Sequence, residues 1–176
     1  MISLNFTFWL LVLLFGLIGM MRGWAKELLV SFSVVLGLAF NSLLMRYVPV
    51  IKALPSNETP LFWIRITIVI ILVFFGYQTV GLPRFASKAT REKLQDSLLG
   101  FVVGALNGFL VFGTVWYYLA EANYPFSDFI SPPIQGTPMG DAALSLIPIL
   151  APRLLGEPAI YFAVMLCFIF VLVVFI

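Results

Sequence analysis

Charge-free apolar stretches at about 4–21, 28–45, 66–82, 97–119 and 159–176 divide the chain, and the charged residues fall between them. A bilayer core of about 30 Å needs about 20 helical residues, with roughly 17 to 25 tolerated. The pattern therefore predicts five transmembrane helices. The second, third and fifth stretches are short and borrow flanking residues such as Lys26, Arg65 or Pro158. Arg65 is tolerable near a helix end, where its long side chain can snorkel to the headgroups.

The fourth stretch carries a second pattern. Directly after Asp96, Gly100, Gly104 and Gly108 recur at every fourth position, on one helical face. Mid-helix glycine costs about 1 kcal/mol relative to alanine. In lipid, helices associate by close packing, and a glycine face lets another backbone approach. The first span carries a shorter echo in Gly16, Gly19 and Gly23. The first and fourth spans are thus the expected close-packed pair, with a seam between copies or a pore-lining face as the other uses of such a stripe.

Composition agrees with the pattern. The chain is 62% hydrophobic and 10% charged, against about 25% charged for a soluble domain. A net charge of +2 with no basic run among aromatics excludes a nucleic-acid partner. With no histidine and one cysteine, Cys167, within an apolar run, the sequence offers neither a metal site nor a nucleophile–histidine pair. No cofactor and no enzyme activity are expected.

Loop charges set the orientation. Arg22, Lys26, Arg84, Lys88, Arg91 and Lys93 lie on one side, and Arg46, Lys52, Arg65 and Arg153 on the other. The positive-inside rule then puts the N-terminus outside and the C-terminus inside. No cation precedes the first span, so it reads as a retained span, not a cleaved signal. The Pro- and Gly-rich loop at 124–140 falls outside and leads to Ala142–Pro152, apolar but broken by Pro148, an interfacial or re-entrant helix. The inner loop after Pro83 suggests a short basic helix on the anionic leaflet.

Two polar groupings remain. Arg22-Gly23-Trp24-Ala25-Lys26-Glu27 must turn the chain within a few residues, with Gly23 supplying permissive backbone and Glu27 facing the dipole of the second helix. Asp96 would cap the fourth span and could pair with Arg22 or Lys26. The turn is an interfacial anchor or a docking site for a membrane protein partner. Asn107 and Gln78 each need a hydrogen-bond partner in lipid, as glue between helices or as members of a polar path. No Asp, Glu, Lys or Arg is expected deep in a span.

At these residues the chain resembles the membrane protein family named for colicin V production (CvpA). Arg22-Gly23-x-x-Lys26-Glu27 is similar to that family's turn between its first two spans. Asp96-x-x-Leu99-Gly100-x-x-x-Gly104-x-x-x-Gly108 is similar to its later signature, and order and spacing agree over about residues 4–120. Family members often carry a basic residue where this chain has Ser97 and Asn107. The resemblance implies a bacterial cytoplasmic-membrane protein of the type needed to produce or export a peptide toxin. It assigns no catalytic residue.

The expectation is an all-α polytopic bundle: a four-span core at 1–120, an external loop with a short interfacial helix at 121–158, and an added C-terminal span at 159–176. It would serve as a scaffold or accessory protein in the lipid bilayer, with a membrane protein partner or a second copy of itself. A small oligomeric channel or transporter, with Gln78 and Asn107 along its path, is the alternative.

Overall fold

Glycine decides which helices meet. In a computed structural model, which describes residues 4–55, 59–78, 90–126 and 129–175, α1 (Leu4–Arg22) lies against α5 (Thr90–Glu121) in the most extensive interface of the molecule. A Cβ on Gly104 would sit 2.5 Å from the Phe15 carbonyl oxygen and 2.8 Å from the Gly19 Cα. One on Gly19 would collide with the Gly100 carbonyl, and one on Gly108 would lie 2.9 Å from the Val12 Cα. Gly19 thus meets Gly100 and Gly104 backbone to backbone, while Gly16 lies against the Phe101 ring. The seam ends in aromatic packing, where Phe8 meets Trp116 and Phe109 with ring centroids 5.3 and 5.6 Å apart.

The remaining core spans are α2 (Trp24–Tyr47) and α4 (Thr59–Tyr77), with α2 packed on both α4 and α5. Val34, Leu38, Phe62 and Ile66 fill the space between them. A one-turn helix, α3 (Pro49–Lys52), follows α2. Four helices are long and apolar enough to cross a membrane, and no strand occurs among the described residues. The fold is an all-α membrane bundle.

Two helix limits differ from the hydropathy reading. α4 starts at Thr59, so Arg65 lies two turns inside the helix. It does not snorkel: its guanidinium pairs with Glu121 and lies 4.9 Å from the Tyr118 ring centre. A charge-free window stops at Arg65 because it cannot show that a carboxylate on another helix waits for it. α5 starts at Thr90, so the expected separate basic helix continues, in its described part, straight into the fourth span. At 32 residues, α5 is about 48 Å long, longer than the bilayer core is thick. Arg84, Lys88 and the rest of 79–89 lie outside the described residues.

Beyond α5 the chain folds back over one end of the bundle. α6 (Pro138–Leu146) is capped by the Thr137 hydroxyl, which accepts from the Gly140 N–H at 3.1 Å. A 3-10 turn at Ile147–Ile149 and α7 (Ala151–Leu154) follow, burying Leu150 and Ala151 against the core. This broken segment occupies the place of the expected interfacial or re-entrant helix. α8 (Ala159–Phe175) then runs antiparallel to α2, with Glu157 beside Ser42 and Arg46 at one end and the Phe32 and Phe170 rings 5.5 Å apart further on.

Glu157 fastens that last helix. It accepts hydrogen bonds from Tyr161 and Ser42 at 2.7 Å and from Arg46 at 3.0 Å. The Tyr161 and Ser42 hydroxyls, followed by the Arg46 charge, hold its carboxyl below the usual carboxylate range. A carboxylate whose folded pKa is depressed contributes stability above its unfolded value, and that stability is lost as pH falls through the lower folded value. Acidification below about pH 4 should therefore loosen α8 from α2. The separation of a probe pair attached beforehand at Phe32→Cys and Phe170→Cys, in a Cys167→Ser background, should grow over that range, and Glu157→Gln should flatten the profile.

Candidate functional site

The residues singled out in the sequence converge at the end of the bundle where α1 turns into α2. Gly23 is the turn, with φ +85°, in the left-handed region that favours glycine. It has no side chain with which to cap α2, and a carboxylate from another helix does so. Asp96 of α5 accepts from the Trp24 N–H at 3.2 Å. The same carboxylate blocks any larger residue at the turn, since a Cβ on Gly23 would lie 2.6 Å from Asp96 Oδ2. Asp96 therefore does not cap its own helix, whose start lies six residues earlier, and among the described residues it forms no ion pair with Arg22 or Lys26. Loss of a capping carboxylate typically costs about 1 kcal/mol. Asp96→Ala should show a loss of that size in a detergent thermal melt, and Asp96→Asn should recover part of it.

Behind the turn lies a buried polar network that the sequence reading did not anticipate. Glu27, one turn into α2, is 0% exposed. Arg22 reaches it at 3.1 Å, donates a second bond to the Tyr77 carbonyl at 3.1 Å, and lies 4.3 Å from the Tyr77 ring centre. Asn107, also 0% exposed, donates from Nδ2 to both the Glu27 carboxylate and the Glu27 carbonyl, each at 2.8 Å. Ser31 donates to Asn107 Oδ1 at 2.6 Å. An acid is thus buried inside the bundle, contrary to the expectation of none. The signal available was Asn107 itself: an amide about 16 Å along α5 from Asp96 needs a partner at that depth.

This junction gathers Arg22, Gly23, Glu27, Asp96, Gly100 and Asn107 from α1, α2 and α5, and Tyr77 from α4. Gly104 and Gly108 continue it along the α1–α5 seam. Lys26 is half-buried beside the turn. Gln78 stands apart, exposed just past the end of α4, and the structure does not bring it to Asn107. The network pairs its charges and its amide and leaves the buried Tyr77 hydroxyl without a hydrogen-bond partner. The charge of Glu27 is balanced by Arg22, and both polar atoms of the Asn107 amide are used. Such an arrangement fixes the register of three helices; among the described residues no cluster of metal-ligating side chains stands nearby.

The opposite end carries a second polar group. Asn41 donates to the Arg65 carbonyl at 3.2 Å, and the Arg65–Glu121 pair lies beneath Tyr118. Between the two ends, Val34, Val35 and Leu38 of α2 are buried and apolar.

A protein-family model described as Colicin V production protein matches residues 4–137. No curated protein and no solved structure matches the chain.

Proposed function

This chain belongs to the colicin V production protein family, and on that premise we propose that it is a scaffold or accessory protein of the bacterial cytoplasmic membrane, serving toxin production or export. The observation that carries the proposal is the packed interior. The glycine stripe of α5 is used up on α1, and the buried charge and amide satisfy one another. The apolar block at Val34, Val35 and Leu38 separates the polar groups of the two ends. A bundle filled in this way holds a shape and acts through its surface. The turn at Arg22–Glu27, with the protruding start of α5, is the part of that surface offered to a membrane protein partner or a second copy. Loop charges support an N-terminus outside, and α8, antiparallel to α2, then serves as a fifth span with its C-terminus inside.

Complementation tests the reading. The chain is expressed in a bacterium lacking its own family member, and colicin V release is assayed with membrane level checked by blot. Restored release, lost with Asp96→Ala at normal membrane level, is the expected result. No release at normal membrane level would count against it. So would solute flux in liposomes that Asn107→Leu abolishes and Lys93→Ala does not, because that outcome makes the chain a channel.

A further inference from the structure

The end of the bundle away from the Gly23 turn holds a cleft of about 230 Å³ between α2, α4, α5 and the 152–156 segment. Its polar floor is unusual in one respect. Asn41 is 3% exposed and its Nδ2 is committed to the Arg65 carbonyl, while its Oδ1, though buried, has no donor. Beside it stand one cation and one anion, Arg65 and Glu121, paired with each other at the cleft wall. Glu121 is a third exposed, and a guanidinium has donors beyond those it spends on a single carboxylate oxygen. Tyr117 and Tyr118 add aromatic surface, and Leu38, Met45 and Leu155 form an apolar side.

These features specify a ligand by elimination. The wall carries one charge of each sign, so a net anion or net cation gains no advantage. The unfilled acceptor on Asn41 asks for an N–H donor. Typical small-molecule pockets span about 300–1,000 Å³, so a smaller cleft takes only a small head. We propose that this cleft binds a phosphoethanolamine-type zwitterion, with its primary ammonium on Asn41 Oδ1 and Glu121 and its phosphate on Arg65. That head occurs free in solution and as the headgroup of phosphatidylethanolamine. In the lipid, the chains would leave along the Leu38, Met45 and Leu155 side. The inference stands apart from the scaffold reading and does not depend on it.

The test uses the purified full-length chain in two arms. In one, soluble phosphoethanolamine and phosphocholine are titrated by calorimetry into phosphatidylglycerol nanodiscs holding the chain. In the other, native mass spectrometry compares retention of phosphatidylethanolamine and phosphatidylcholine. A trimethylated head cannot donate to Asn41, so the primary amine should bind at least tenfold more tightly. Met45→Trp, which fills the cleft without touching the ion pair, should abolish binding while the chain still melts cooperatively. Preference in both arms means the head alone suffices; preference in the lipid arm alone assigns the site to membrane lipid. Equal binding of the two heads, binding that survives Met45→Trp, or no binding in either arm overturns the proposal.

Discussion

Gly104→Leu is expected to strip most of the folded chain from the membrane and to destabilise what remains by more than about 3 kcal/mol, the upper end of ordinary overpacking costs. The reason is what the new side chain meets. The first atom added would already lie 2.5 Å from the Phe15 carbonyl oxygen and 2.8 Å from the Gly19 Cα, both backbone. Backbone cannot change rotamer, so α1 and α5 must separate along their length. Gly37→Ala is the matching control. There an added Cβ would meet Val69 Cα at 3.4 Å, an ordinary contact, and alanine gains up to about 1 kcal/mol in helix preference. Blots of membrane fractions and detergent melts of the two variants should move in opposite directions. Equal behaviour would mean that the glycine seam does not hold the bundle together.

The second large effect belongs to Glu27. Removing one partner of a buried ion pair typically costs about 3–5 kcal/mol, because the other charge is left without a counter-ion. Arg22 is 20% exposed and can reach some water, so Glu27→Ala should fall near the lower end, about 3 kcal/mol. Asn107 keeps its bond to the Glu27 backbone carbonyl and limits the damage. Glu27→Gln, which keeps the shape and drops the charge, should cost less. The double variant Arg22→Met/Glu27→Ala should cost less than the sum of its single changes, because the pair acts as a unit. A double-mutant cycle measured by thermal melting reads this directly. Strict additivity would mean that the pair contributes nothing to the fold.

How far the sequence reached can be seen residue by residue. Glycines at every fourth position of the fourth span, echoed by Gly16, Gly19 and Gly23 in the first, point to the α1–α5 pair, because in lipid a glycine face lets another backbone approach. The turn at Gly23 followed from the length of the gap. Arg65 and Glu27 fall at the membrane surface in sequence, because a hydropathy pattern ends a span wherever a charge appears. Their real partners, Glu121 and Asn107, lie on α5, 56 and 80 residues away, and no local pattern shows which faces will meet. Asp96 has the sequence signature of a cap on its own helix because it precedes an apolar run. Glu92, Lys93, Leu94 and Gln95 are good helix formers with no breaker among them, and that run was enough to carry α5 back past it. The cleft was invisible, since Asn41 and Tyr118 become neighbours only once the bundle is assembled.

The cap that α5 lends to α2 also imposes an order on biosynthesis. When α1 and α2 leave the ribosome, the carboxylate that will hold the Trp24 N–H has not been translated, and neither have the Phe101 ring that will cover Gly16 and the backbone that will cover Gly19. The first hairpin must wait in the membrane through roughly seventy more residues, several seconds at about 5–20 residues per second. Its sticky face is meanwhile open to any other glycine-faced helix, including the α5 of an earlier copy. Swapped dimers are thus the natural misassembly of this architecture, and slow translation between α2 and α5 should raise their yield.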